Sequence, residues 1–335
     1  MKKLITLLLG LTILAAGIGY ALYQKNVNYV LDETSSDRIS IDVPQGSHAK
    51  KIGELLKEQN LIHSVFFFQV YVDQNDLGGN LQSGRFVIQK NNTLEEIVDV
   101  LANGKGAEVA VTLLEGWTAE QIGEELEAQG LTTAESFMNC INTCEFGWNI
   151  LPLNEENVAE YIEGYLYPDT YFVNPVEYTN ELFIDRLINT LDSKLTEEDW
   201  QGIEASPYSL EEIIIMASIV EREERNDAEL ARVAGVLWNR VEAGTLIGAD
   251  ATVLYALGRT SGGLTYNDLQ FDSPYNTRKN LGLPPTPISN PGLSSIRAAI
   301  FPEETDYFYY LHDSEGGIHY GRTLEEHNMN KAKHL

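Results

Sequence analysis

Cysteine is nearly missing from these 335 residues: only Cys140 and Cys144 occur, four positions apart. A miniature scaffold stapled by several disulfides is excluded, and a zinc ribbon or finger lacks its second Cys/His pair. On a continuous helix the two Cβ atoms would stand about 5–6 Å apart, too far for ordinary bridging. Two buried thiols fit that spacing, and so does a bridge that closes off the end of a helix. Basic side chains are scarce as well, 23 against 50 acidic ones, for a formal charge of −27. Such a chain repels phosphate backbones, so no nucleic-acid partner is expected. No Gly-x-Ser-x-Gly elbow, His-Glu-x-x-His pair or Walker loop is present, which leaves serine hydrolase, zincin and P-loop readings without support. His312, His319 and His327 follow at intervals of seven and eight. No metal site and no cofactor is expected from them.

What is present begins with an uncharged run of 20 residues, Leu4 to Tyr23, preceded by Lys2 and Lys3. At about 1.5 Å per residue this is one membrane crossing. The paired lysines favour a cytoplasmic stub at 1–3 and a body exported to the other side. A cleaved signal peptide is the alternative, but its apolar region is usually about 7–15 residues and ends in a small-x-small site. Here Ala15-Ala16-Gly17 lies mid-run, so a retained anchor at 4–23 is expected, in the cell membrane, followed by a polar tether at 24–38. The rest, with 43% hydrophobic residues overall, is long enough for two domains with cores of their own.

Ile39-Ser40-Ile41-Asp42-Val43 alternates as a strand. Pro44-Gln45-Gly46 then turns into a helix with Ser47 as its expected N-cap and Ile52, Leu55, Leu56 and Leu61 on or near its inner face. A second apolar helix, Val65 to Val72, leads to a strand around Arg85–Ile88, and Thr93 with Glu96 has capping-box spacing before a helix from Leu94 to Leu101. The stretch Gly46 to Leu56 is echoed 70 positions later by Gly116 to Leu126, with Ile52-Gly53-Glu54 matching Ile122-Gly123-Glu124, Gln59 matching Gln129, Leu61 matching Leu131 and Phe67 matching Phe137. Two copies are too few for a solenoid and point instead to two related strand-helix-helix modules, the second at 110–145. From Tyr161 onward, aromatic-rich and Pro/Gly-rich stretches separate well-patterned helices, where binding groups concentrate.

Glu211 to Arg225 is apolar nearly all round, through Ile213, Ile214, Ile215, Met216, Ala217, Ile219 and Val220, and belongs in a core. Steps of three and four from Ile214 reach Ala217 and then Glu221, so this carboxylate continues the buried stripe. Burial would raise its pKa and let it donate a proton near neutrality; the bland alternative is an i,i+4 pair with Arg225. Glu223 and Glu224 are expected in solvent. The following helix, about Ala228 to Ala243, takes Asp227 as N-cap and Gly244 as stop, with Trp238 and Asn239 beside its inner face, suited to a sugar cleft or to plain packing. Asp250 opens a short helix, as a cap or as a second catalytic carboxylate, a role open to Glu163 as well. The proline-stiffened stretches 273–278 and 282–292 fit a binding wall or an ordinary loop.

Together these residues resemble the endolytic murein transglycosylase family, also called YceG-like. Ala217-Ser218-Ile219-Val220-Glu221 is similar to its signature, with Glu221 at the place of the catalytic glutamate. The likeness runs through Glu163-Gly164-Tyr165-Leu166-Tyr167-Pro168-Asp169, Val236–Arg240, Ser273–Thr277, Gly282–Pro285, Ile288-Ser289-Asn290-Pro291-Gly292, His319 and Thr323–Asn328, in the same order. Ala251 departs from the proline often found after the aspartate, and Gly248-Ala249 from a more polar pair. The resemblance implies an α+β protein: a transmembrane helix, a LysM-like α/β module at 39–105, and a helix-rich α+β catalytic domain at 106–335. It implies cleavage of the β-1,4 bond between N-acetylmuramic acid and N-acetylglucosamine without water. Glu221 protonates the leaving oxygen and then takes the proton of the muramic C6 hydroxyl, which closes a 1,6-anhydro ring. Asn239, Asp250, Tyr255, Asn276 and Asn290 are then the candidates for holding the sugars or polarising the transition state. Peptidoglycan strands are the implied partner, with cell-wall synthesis proteins beside them.

Overall fold

The computed structural model describes residues 2–31, 37–104, 107–152, 161–175, 177–224 and 226–335, with side chains from residue 9 onward except at 107. Met1 of the stub, positions 32–36 of the tether and the pairing candidate Arg225 lie outside the described residues. The chain is α+β and divides into two units, 1–110 with 172–178, and 111–171 with 179–335.

The first unit opens with a helix, α1 (Lys2–Val27), which runs past the predicted end of the apolar run into the expected tether. Val27 and Leu31 pack on this unit's core, and Asn26 is buried with its Nδ2 on the Leu22 carbonyl, so the start of the tether is folded structure. Among the described residues no helix is long and apolar enough to cross a membrane. Strand β1 (Arg38–Val43), helices α2 (Ala49–Glu58) and α3 (Val65–Gln74), strand β2 (Gly84–Gln89) and helix α4 (Leu94–Asn103) follow. β1 and β2 pair antiparallel from Arg38 opposite Gln89 to Val43 opposite Gly84, which turns Ile41, Val43, Phe86 and Ile88 to one face. That face closes on Ile52, Leu56, Phe68, Ile97 and Leu101, all fully buried. Each such side chain contributes about 1.5–3 kcal/mol relative to exposure. The Thr93–Glu96 capping box forms as expected, whereas α2 is capped by His48 without a side-chain bond and not by Ser47. Strands β3 (Ala107–Thr112) and, farther on, β4 (Thr170–Val173) complete the sheet in the order β1-β2-β3-β4, and the chain passes between the units within these two strands and again after Tyr178.

In the second unit α5 (Ala119–Ala128) starts 70 positions after α2, and α6 (Ala134–Thr143) repeats α3. The repetition extends to backbone detail. Gly46 and Gly116, at the entry turns, have φ of 77° and 75°, which favours glycine. Gly53 packs against Phe68, and Gly123 against Phe137. The bonds from the Leu61 N–H to the Leu56 carbonyl and from Leu131 to Leu126 close the two helix ends alike. Cys140 and Cys144 form a disulfide. Cys144 leaves the helix in extended conformation, which brings the Cα atoms to 4.8 Å and removes the obstacle a continuous helix would pose.

The remainder is helical: α7 (Asn180–Lys194), α8 (Glu197–Ala205), α9 (Leu210–Glu223), α10 (Asp227–Glu242), α11 (Asp250–Ala256), α12 (Tyr266–Leu269) and α13 (Leu293–Ile300), then a hairpin of β5 (Tyr309–His312) and β6 (Ile318–Gly321), and α14 (Leu324–His334). α9 is the centre, buried continuously from Ile213 to Val220 and packed by α10, α11 and α13. α10 is capped by Asn226, one residue before the expected Asp227, because the Asn226 side-chain oxygen takes the Ala228 N–H. Asp199 of α8, 2% exposed, holds Arg297 of α13 through two 2.9 Å bonds. The guanidinium keeps the Asp199 carboxyl below the usual carboxylate range.

Candidate active site

α9 ends at a cleft, and Glu221 stands half-buried on its wall. The cleft has a volume of about 680 Å³ and is lined by Glu115, Gly116, Trp117, Glu221, Arg222, Glu223, Asp227, Leu230, Asp250, Leu254, Thr260 and Ser294, among others. Its acids outnumber the single arginine, whose guanidinium donates to the carbonyls of Gly116 and Thr260.

Two hydrogen-bond relays set Glu221 in place. Ser218, buried one turn earlier, accepts the Ile288 N–H at 3.0 Å, and its carbonyl accepts from Ser289 at 3.2 Å. This pins the segment 288–292 along α9, and the Gly292 N–H then donates to Glu221 Oε2 at 3.0 Å. Gly292 is also the N-cap of α13, so the carboxylate sits at a helix start, where the dipole favours negative charge. The second relay passes through Asn290, fully buried. Its oxygen accepts the N–H groups of Gly164 and Leu166 at 2.8 and 2.9 Å, and its Nδ2 donates to the Trp117 carbonyl at 3.0 Å and to Glu163 at 2.7 Å. Gly116 N–H to Asn290 O and Asn290 N–H to Trp117 O add a backbone pair. Three segments distant in sequence thus meet on one amide, and two of them bear on the cleft.

The other predicted site residues have different places. Glu163 is not on the cleft wall: both its oxygens take the Ala119 N–H, at the first turn of α5, and desolvation pushes its carboxyl up to about 7. Asn239 donates to the Thr305 and Tyr307 carbonyls at 2.8 and 2.9 Å, and Asn276 to those of Leu269 and Phe271 at 3.1 and 2.8 Å. Both hold loops. Tyr255 packs its ring 5.0 Å from Tyr275, and burial raises its phenol. Trp238 is a core residue, stacked on Tyr208 with its N–H on the Ala299 carbonyl. Asp250 does reach the cleft, but it caps nothing, since Ala249 is the N-cap of α11; it pairs with Arg278 at 2.6 Å. Glu223 and Glu224 are not in open solvent. Glu224 is 7% exposed and holds His312 at 2.9 Å, while Glu223 accepts from Tyr310 and is raised by burial.

Glu115 and Trp117 were not singled out from sequence. The signal available was the duplication: position 115 corresponds to Gln45 and position 117 to Ser47, so the second copy gains an acid and an indole at the turn it shares with the first. Among the described residues one group, Asp313, His319 and His334, brings three metal-ligating side chains within 4.8 Å. Asp313 there also caps the hairpin turn through the Glu315 and Gly317 N–H groups.

A model of the YceG-like family matches residues 41–333. An endolytic murein transglycosylase of Bacillus subtilis is 32% identical over 95% of this chain and 90% of its own length. One of Streptococcus pneumoniae serotype 2 is 28% identical over 99% of this chain, which spans 65% of that relative. The crystal structure of a yceG-like protein from Listeria monocytogenes superposes with a TM-score of 0.60 at 31% identity, covering 88% of this chain and 99% of that one.

Proposed function

Because the chain belongs to the YceG-like family, we propose that it is a lytic transglycosylase that cuts inside the glycan strands of peptidoglycan, leaving 1,6-anhydro-muramic ends. The observation that carries the residue assignment is the setting of Glu221 on the cleft wall, with one oxygen engaged by a backbone N–H. Oε2 is committed as an acceptor to Gly292, so the transferable proton belongs on Oε1. Glu221 gives it to the glycosidic oxygen as the C1–O bond breaks, and the bonding pair leaves with the N-acetylglucosamine. The C6 oxygen then bonds to C1, and its proton returns to the Glu221 carboxylate. Trp117 and Leu254 offer apolar surface to sugar faces. Glu221→Gln should abolish strand cleavage with the fold intact. Mass spectrometry of murein digested by the wild type should show anhydro ends, and reducing ends in their place would refute the transglycosylase reading.

The cell-membrane location belongs to the same proposal. The run Leu4–Tyr23 is uncharged, and Leu9, Leu11, Ile13, Leu14 and Ile18 are all more than half exposed, which suits a lipid surround. With Lys2 and Lys3 cytoplasmic, this single-pass anchor holds the catalytic unit on the extracytoplasmic side, beside nascent strands and the proteins that extend them. The β1-α2-α3-β2 arrangement, two antiparallel strands enclosing two helices, supports a LysM-like reading of the first unit. Cutting near the membrane would end strand growth, so loss of the protein should lengthen glycan strands.

A further inference from the structure

Gly292 serves two carboxylates. It gives its N–H to Glu221 Oε2 at 3.0 Å, and a Cβ built on it would fall 1.9 Å from Oε1 of Glu115, so the Glu115 carboxylate rests against the same residue. Both acids line the cleft. Among the described residues no donor binds Glu115, while Glu163 and Asp250 are engaged by Ala119, Asn290 and Arg278. The other charged groups lining the cleft are Glu221, Arg222, Glu223 and Glu224 at the end of α9, Asp227 at the start of α10 and Asp250 at the start of α11. Burial first, then Glu221 and Asp227, raises its carboxyl. Arg222 is occupied by two carbonyls.

We propose that Glu115 is a second catalytic carboxylate of this cleft, an anion that faces the anomeric carbon while Glu221 moves the proton. This rests on the reading of Glu221 given above. Both carboxylates meet at one glycine, so they act on the same stretch of substrate. When Glu221 delivers its proton to the glycosidic oxygen and the electron pair leaves with it, positive charge develops at C1 and the ring oxygen. The Glu115 anion opposes that charge until the C6 oxygen bonds to C1 and its proton reaches Glu221. Glu115 itself ends as it began, and no water is consumed. In the first copy of the duplicated turn the corresponding residue is the amide Gln45.

The test uses the full chain in detergent, acting on purified peptidoglycan, with anhydro-ended products counted by mass spectrometry across pH. Glu115→Gln, which copies Gln45, should melt with the wild type, lose roughly 10²-fold in kcat with KM within a few-fold, and lose one limb of the pH–rate profile. Glu115→Asp keeps the charge but retracts it by one methylene; it should keep both limbs at a rate roughly tenfold down, and it decides the matter if the Gln variant does not fold. Wild-type kcat and an unchanged profile in Glu115→Gln, or a wild-type rate in Glu115→Asp, with Glu221→Gln inactive, would overturn the proposal and leave the transglycosylase assignment standing. An active Glu221→Gln would sink the assignment of the cleft itself.

Discussion

Asn290 donates its Nδ2 to Oε1 of Glu163 at 2.7 Å while its own oxygen receives the Gly164 and Leu166 N–H groups. An amide and a carboxyl that both looked like sugar-binding candidates are partners to each other, and they brace the loops that carry Glu115, Trp117 and Gly292.

That bond makes Asn290 intolerant of substitution. Asn290→Leu has similar volume but strands the Gly164 and Leu166 N–H donors, while the Trp117 carbonyl keeps the backbone N–H of residue 290 and Glu163 keeps that of Ala119. At about 1–3 kcal/mol for each buried group left unpaired, the loss should reach about 2–6 kcal/mol. Chemical denaturation of the full chain measures it, and a loss under 1 kcal/mol would mean that water replaces the amide without cost.

Glu163 supplies a pH dependence. Its folded pKa, about 7, lies above its ordinary value of 4.5. The unfolded chain therefore releases this proton first as pH rises. The contribution of Glu163 is fully present below about pH 4.5 and is lost progressively up to about pH 7, by on the order of 3 kcal/mol at 1.36 kcal/mol per unit. Glu163→Gln, always neutral, should lack this decline. The difference in stability between the wild type and Glu163→Gln, followed from pH 4.5 to pH 8, should then shift in favour of the variant, and a flat difference would show that the carboxylate is compensated by Ala119 and Asn290 alone.

Much of the framework could be read from the chain. The 70-residue echo returned as matched helices, and the apolar stripe over Ile213–Val220 returned as the buried centre. Polar residues misled in one direction. Asn239, Asn276 and Asn290 look like ligand groups because they lie among aromatic and proline-rich segments, yet each spends its amide inside the protein: Asn239 on the Thr305 and Tyr307 carbonyls, Asn276 on the nearby Leu269 and Phe271, and Asn290 on the loops of Trp117 and Glu163. Periodicity reports which face of a helix is covered, and it carries no information on which loop will need a donor there. Glu224 was expected in solvent for the same reason: its partner, His312, comes from 88 residues away.

The Cys140–Cys144 bridge closes a very short loop. Loop-closure entropy for about five residues is worth roughly 2 kcal/mol, so replacing both cysteines by serine should cost that much or less. Neither cysteine lines the cleft, so cleavage should proceed at the wild-type rate below the melting transition. A large fall in rate in the double serine variant, with stability preserved, would tie the end of α6 to catalysis.

Gly292→Ala separates positioning from folding. The backbone at Gly292 has φ −73°, comfortable for any residue, so alanine meets no conformational penalty. What its methyl strikes is Glu115 Oε1, 1.9 Å from the ideal Cβ, and that oxygen is the free end of a flexible side chain facing the cleft. The carboxylate can swing aside, so the melting temperature should change little. The reaction should suffer, because the acid displaced is the one set against the scissile bond. A loss of tenfold or more in kcat at unchanged stability is expected, and adding Gly292→Ala to Glu115→Gln should cost much less than the product of the two, since both remove the same charge from the same place. Fully multiplicative losses would show that the glycine serves Glu221 alone.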